Sequence, residues 1–243
     1  MIRSRLTILA SALLACSTAT SAQLGADVAS KAYRLQFENT WVKVTRVHYE
    51  PRERLPEHQH PGGPNIYVYL NDGGPVLFKH EHGDSGEMAA VRPPTKARAY
   101  RLAAARQETH IVENRSDLPS DFLEVGLKTD INLKTFVGRR ESAFGDSAAN
   151  ARNVEFDTDQ IRVTRITCAA AIGCEPLTAA YPTLWIALSA IDFEGVAGSS
   201  PVSGPAGHTQ WLDTGATARY KNRGSSPAEY LLVELKSRHT GTR

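Results

Sequence analysis

The apolar positions of this chain fall into short runs and alternations rather than a helical rhythm. Trp41 to Val47 reads Trp-Val-Lys-Val-Thr-Arg-Val, rich in β-branched and aromatic residues. Ile66 to Leu70, Val76 to His80, Tyr100 to Leu102, Thr109 to Val112 and Phe122 to Lys128 have the same texture. Breakers separate them: Pro51 to Pro56, Asn71-Asp72-Gly73-Gly74 and Arg92-Pro93-Pro94. The Asn-Asp-Gly-Gly cluster predicts a hairpin between the strands that flank it. No amphipathic helix stands out in this half. Many short strands with Gly and Pro turns predict an all-β sandwich or barrel.

The pattern then repeats. Phe37 to Arg46 matches Phe156 to Arg165, and Ile66 to Leu70 matches Leu184 to Leu188. Asn114 to Pro119 matches Asn222 to Pro227, and the closing strand Leu123 to Lys128 matches Leu231 to Lys236. The matches come in the same order in both copies. Two β-domains are expected, over residues 31–138 and 151–238, joined by Glu141 to Asn150. What both copies share is scaffold, and what one copy holds alone is a candidate for function.

The first residues read differently. Arg3 and Arg5, a short apolar run from Leu6 to Ala15, and Thr20-Ser21-Ala22 form the layout of a secretory signal peptide over residues 1–22. The run is too short to span a bilayer, so no transmembrane helix is expected in the mature chain. Leu13-Leu14-Ala15-Cys16 also fits a lipoprotein box, with cleavage before Cys16 and a lipid anchor on it. Either route implies a periplasmic or secreted protein. Export leaves Cys168 and Cys174 as an even pair in an oxidising compartment. A disulfide between them is expected, with two reduced core cysteines as the other reading.

Length and charge exclude little more. The 243 residues carry a formal net charge of +2, with basic residues scattered. No nucleic-acid-binding motif, phosphate loop or nucleophile elbow is present.

The chemistry gathers between Leu55 and Leu70, Leu-Pro-Glu-His-Gln-His-Pro-Gly-Gly-Pro-Asn-Ile-Tyr-Val-Tyr-Leu. His58 and His60 are two apart, so in a strand both rings share one face and can share a metal ion. His110 is the leading candidate for a third imidazole. In the second copy His58 and His60 fall opposite Pro176 to Ala179, and His110 opposite Ala218. A metal would therefore sit in the first copy. His80-Glu81-His82 is a rival pair on one strand face, either lining the same pocket or ending an exposed hairpin. His48, His208 and His239 show no partners, and Asn114-Arg115-Ser116 is a formal glycosylation sequon.

These residues resemble the cupin superfamily. His58-Gln59-His60 is similar to the opening of its first motif, and His110 followed by Asn114 is similar to its second. The resemblance covers nearly the whole mature chain as a two-domain bicupin. It implies two tandem antiparallel jelly-roll barrels, with binding inside the barrel. It also implies His58, His60 and His110 as ligands of a divalent transition metal: Fe, Zn, Mn, Ni or Cu. Asn65 departs from the family, which usually carries a metal-binding Glu there. It would act as a weak ligand or as a donor to water or substrate. If Asn65 points inward, Tyr67 and Tyr69 share its face and line the pocket. Glu57, Gln59 and Glu113 are candidates to orient the histidines. The expected function is a metal-dependent oxygenase or isomerase of a small molecule, with a non-catalytic binding or structural cupin as the alternative. A homodimer is a further expectation.

Overall fold

A computed structural model describes residues 31–60, 62–82, 86–105, 107–129, 131, 138–140 and 149–238; for residues 81–82, 86–88 and 138–140 it describes the backbone alone. The expected signal peptide, Cys16, His239 and most of the connection from Glu141 lie outside these residues.

The alternation of the first half forms ten strands: β1 (Tyr33–Glu38), β2 (Val42–Tyr49), β3 (Arg54–His60), β4 (Asn65–Tyr69), β5 (Val76–His82), β6 (Gly86–Arg92), β7 (Tyr100–Ala103), β8 (Glu108–Asn114), β9 (Ser120–Leu127) and β10 (Gly138–Arg140). They make a six-stranded sheet ordered β1-β2-β9-β4-β7-β10 and a four-stranded sheet ordered β3-β8-β5-β6. The second half repeats the plan with β11 (Ala151–Asp157), β12 (Ile161–Cys168), β13 (Leu177–Thr178), β14 (Thr183–Ala187), β15 (Ile191–Gly195), β16 (Val202–Gly204), β17 (Thr209–Leu212), β18 (Thr217–Ala218), β19 (Tyr220–Asn222) and β20 (Ala228–Leu235). Its large sheet is β11-β12-β20-β14-β17, faced by β16-β15-β19 and by β13-β18. Every named element among the described residues is a strand, and no described helix is long and apolar enough to cross a membrane.

The duplication holds at the level of register. The β1–β2 ladder shifts between Leu35 and Phe37, and the β11–β12 ladder shifts between Val154 and Phe156. Asn114 and Asn222 are buried in matching places. Asn114 Nδ2 donates to the carbonyls of Glu50 and Leu118, and its Oδ1 accepts from the Ser116 N–H. Asn222 Nδ2 donates to the carbonyls of Cys168 and Ser226, and its Oδ1 accepts from the Gly224 N–H. The asparagine of the second motif is thus a loop pin in both copies, and the sequon built on Asn114 is inside the protein.

A period of two decides where each side chain of the large sheets goes. Ile66 and Val68 on β4, Leu123, Val125 and Leu127 on β9, and their counterparts Leu184, Ile186, Leu231, Val233 and Leu235 form one core between the two halves. Trp211 extends it, stacked on Phe37 and Trp41 at ring-centroid distances of 6.5 and 6.4 Å. Polar ties cross the same boundary, among them Gln36 Nε2 donating to the Gly207 carbonyl and Arg165 Nη1 to the Arg98 carbonyl. The alternate residues of the same strands point into each barrel. There the copies part. The second barrel is filled by Trp185, Phe193, Tyr220, Tyr230 and Leu232, while the first keeps a cavity.

One expected element differs. Asn71 to Gly74 does not close a hairpin, because β4 pairs with β7 and β9 while β5 pairs with β6 and β8. The turn carries the chain from one sheet to the other. Its polar groups bond outward: Gly73 exchanges backbone bonds with Thr95, and Asn71 binds the Pro119 carbonyl and the Asp121 N–H. Gly74 lies so close to Ser116 that a Cβ would fall 2.1 Å from its hydroxyl oxygen, which leaves glycine as the residue that fits.

Candidate metal centre

The site is built on the β3–β8 ladder. Leu55 pairs with Val112 and His58 with His110, so β3 carries one extra residue between the two pairs. Counted by simple alternation from the inward-facing Leu55, His58 would point out. The extra residue, placed beside Pro56 with its missing N–H, reverses the phase and turns His58 and His60 inward.

The three imidazoles then face one another. Each pair among His58, His60 and His110 has ring centroids 5.0 Å apart. One ring nitrogen from each lies within 4.8 Å of the others. His58 is fixed from both sides. Its Nδ1 lies 2.8 Å from the Pro56 carbonyl, which can only accept, so Nδ1 carries the proton. The lone pair is then on Nε2, which accepts from the Tyr33 hydroxyl at 3.1 Å. Tyr33 oxygen in turn lies 2.7 Å from Tyr49 oxygen.

His110 supplies the test of whether an ion fits. It is 4% exposed, and both ring nitrogens are buried without a hydrogen-bond partner among the described residues. An unpaired buried polar group costs about 1–3 kcal/mol. A cation on one nitrogen removes that cost, so the residues fit a bound metal. A second group, His80, Glu108 and His110, also has ligand atoms within 4.8 Å of one another. Both groups found among the described residues are in the first barrel.

Burial disfavours the charged form of two of the three rings. Removal from water pushes the His60 pKa down from 6.5 to about 4, helped by His110 and His58 nearby. His58 is lowered for the same first reason, against the raising effect of its bond to Pro56. Neutral imidazoles are the ligating form. Burial pushes Glu124 the other way, above the usual carboxylate range. Its Oε1 lies 3.8 Å from His60 Nδ1, and Glu108 Oε2 lies 3.6 Å from His110 Nδ1.

His60 and His110 open on a cavity of about 760 Å³, which Tyr33, Tyr49, Asn65, Tyr67, Phe78, His80, Arg101, Glu108, Phe122 and Glu124 help to line. Asn65 and Tyr67 therefore reach it; Asn65 Nδ2 donates to the Gly63 carbonyl. Tyr69 shares their strand face but is not among the residues that line the cavity; it packs against Phe122 and under Arg92, which are. Arg101 lies over the Tyr67 ring at 4.5 Å, with its Nε buried and without a hydrogen-bond partner among the described residues. His80 lines the cavity with its ring 5.3 Å from His110; the side chain of His82 lies outside the described residues.

Glu57 and Gln59 are exposed on the outer face of β3, and Glu113 pairs with Arg115. They orient no histidine. The carboxylates at the site are Glu108 and Glu124, and the phenols are Tyr33 and Tyr49. Glu108 was open to view, since it stands two residues before His110 on one strand face. Tyr33, Tyr49 and Glu124 come from strands distant in sequence.

The second barrel replaces this set position by position. Leu177 pairs with Ala218 where His58 pairs with His110, and Trp185 pairs with Leu232 where Tyr67 pairs with Glu124. Leu177, Ala179 and Ala218 are all buried. Cys168 stands where Tyr49 does and is joined to Cys174 by a disulfide.

No protein-family model and no curated protein matches this sequence. Solved structures do. Oxalate decarboxylase from Lactobacillus farciminis, as a formate complex, aligns with a TM-score of 0.53 at 11% identity over 86% of this chain and 85% of that one. A Bacillus subtilis oxalate decarboxylase described by its Mn(II) centres gives 0.51 at 7%, over 86% and 77%. AerE from Microcystis aeruginosa gives 0.51 at 10%, over 84% and 97%. Identities this low speak to the fold alone.

Proposed function

We propose that this chain, which has the fold of the two-barrel cupins, is an exported metal-dependent enzyme of small-molecule chemistry. One observation carries the reading: three imidazoles converge beside a cavity, and the most buried of them has no hydrogen-bond partner for either nitrogen among the described residues. His58, His60 and His110 hold the ion, with Asn65 at its side in place of a carboxylate. Of the expected metals, Fe, Zn, Mn, Ni and Cu, manganese has added support, because Glu108 offers a hard oxygen donor and a structurally similar decarboxylase is described by its Mn(II) centres. A bound ion supplies a Lewis acid that binds and polarises substrate or dioxygen, suited to oxygenation or isomerisation.

The rest of the cavity belongs to the chain. Tyr67, Phe78 and Phe122 give it apolar walls that exclude water. Arg101 presents a guanidinium whose Nε has no hydrogen-bond partner among the described residues, which favours a substrate with an anionic group. Export is supported by the Cys168–Cys174 disulfide, since such bonds persist in oxidising compartments. The proposed leader is the signal peptide over residues 1–22, with cleavage before a lipidated Cys16 as its alternative; the mature mass decides between them, and sedimentation tests the expected homodimer.

The test is elemental analysis of periplasmic protein beside a His58→Ala, His60→Ala double variant. Stoichiometric metal in the wild type and none in a folded variant supports the reading. Folded wild type that holds no metal and takes none up contradicts it.

A further inference from the structure

The inference rests on the metal centre proposed above: beside His58 and His60 that centre has no anionic ligand, since Glu108 lies on the His80–His110 side and Asn65 is a neutral amide. We propose that Tyr33 supplies one, as a phenolate bound to the ion beside His58.

The geometry is the first support. Tyr33 oxygen lies 3.1 Å from His58 Nε2. Two donors each about 2.1 Å from one ion, set between a right angle and a tetrahedral angle apart, lie about 3.0–3.4 Å from each other. The contact therefore has the spacing of two ligands as well as that of a hydrogen bond. The Tyr33 ring also stands against two members of the trio, with centroids 5.3 Å from His58 and 5.2 Å from His60. Those values nearly equal the 5.0 Å within the trio.

The second support is the nitrogen that Tyr33 contacts. His58 Nδ1 is held by the Pro56 carbonyl, so the ring is already oriented. Tyr33 instead sits on Nε2, the one nitrogen of His58 left for a metal. The third is Tyr49. Its buried hydroxyl lies 2.7 Å from the Tyr33 oxygen and can donate to a phenolate there, stabilising its charge. The fourth is the duplication. Arg152 occupies the place of Tyr33, Cys168 that of Tyr49 and Leu177 that of His58. The copy without the imidazoles lacks both phenols as well.

In the metal-free protein the Tyr33 hydroxyl donates to His58 Nε2. On coordination the phenol releases its proton to bulk water, its oxygen turns from Nε2 to the ion, and the cation balances the buried negative charge.

The test is optical. Full-length processed protein is loaded with iron(III) or copper(II), and bound metal is counted by elemental analysis. Wild type is expected to show a phenolate-to-metal charge-transfer band in the visible. Tyr33→Phe is expected to bind the same ion without the band, with at least a tenfold loss of affinity. Tyr49→Phe should keep the band at a shifted wavelength, because Tyr33 loses a hydrogen bond but not its metal. Stoichiometric metal without a charge-transfer band in the wild type overturns the assignment, as does a band that persists in Tyr33→Phe. If no ion binds in wild type, the metal centre itself fails and the ligand with it.

Discussion

His60 is the side chain whose environment does most to set the pH response. Its proton is held less tightly in the fold than in an unfolded chain, with a pKa of about 4 against 6.5. As pH falls from about 6.5 toward 4, the unfolded chain takes up the proton first, and stability is lost across that window. His58 acts in the same direction. Glu124, raised by burial, acts in the opposite one: its contribution is present at low pH and fades as pH rises through its folded value. Two groups oppose one. Metal-free wild type should therefore have a lower denaturant midpoint at pH 5 than at pH 7, and the double histidine variant a flatter profile. An unchanged slope in that variant would refute the assignment. Glu108 lies beside His110, so Glu108→Gln should weaken metal binding about 10–100-fold, measured by competition with a chelator. At this scale the imidazoles were legible because two of them lie in one short motif. The phenols and Glu124 were not, because only pairing between β1, β2, β4 and β9 brings them to the site.

Elements carry the next set of consequences. The extra residue between Leu55 and His58 decides which face of β3 is chemical, and no alternation rule finds it in advance. The crossing at Asn71 to Gly74 was missed for a related reason: its composition is that of a hairpin, and its bonds go to Thr95, Pro119 and Asp121 instead. The loop pins, by contrast, could be read from the repeat. Asn114→Ala and Asn222→Ala each remove bonds to two carbonyls and one N–H, buried or partly buried, which should cost about 1–3 kcal/mol in chemical denaturation. Asn222→Ala should leave metal binding unchanged. If only one of the pair is destabilised, the two loops are not equivalent. Reduction of Cys168–Cys174 removes a short-loop constraint near Asn222, with an expected loss of about 2 kcal/mol.

Across the whole molecule, one set of strands serves two interiors and the core between them. Every second residue of β4, β9, β14 and β20 packs on the other half, so neither barrel is complete without its partner. A single cooperative calorimetric transition is expected, raised as a unit by metal; two separate transitions would count against a shared core. The duplication and the all-β class were visible in the ordered matches along the chain. The filling of the second barrel by Trp185, Phe193, Tyr220 and Tyr230 was not, since aromatic residues look alike whether they line a pocket or close it. The account comes down to one ion in one barrel. Crystals grown with the native metal, measured at its absorption edge, should show one anomalous peak within about 2.3 Å of ring nitrogens of His58, His60 and His110, and none beside Leu177 and Ala218. A peak elsewhere, or three histidines turned apart around no peak, would contradict it.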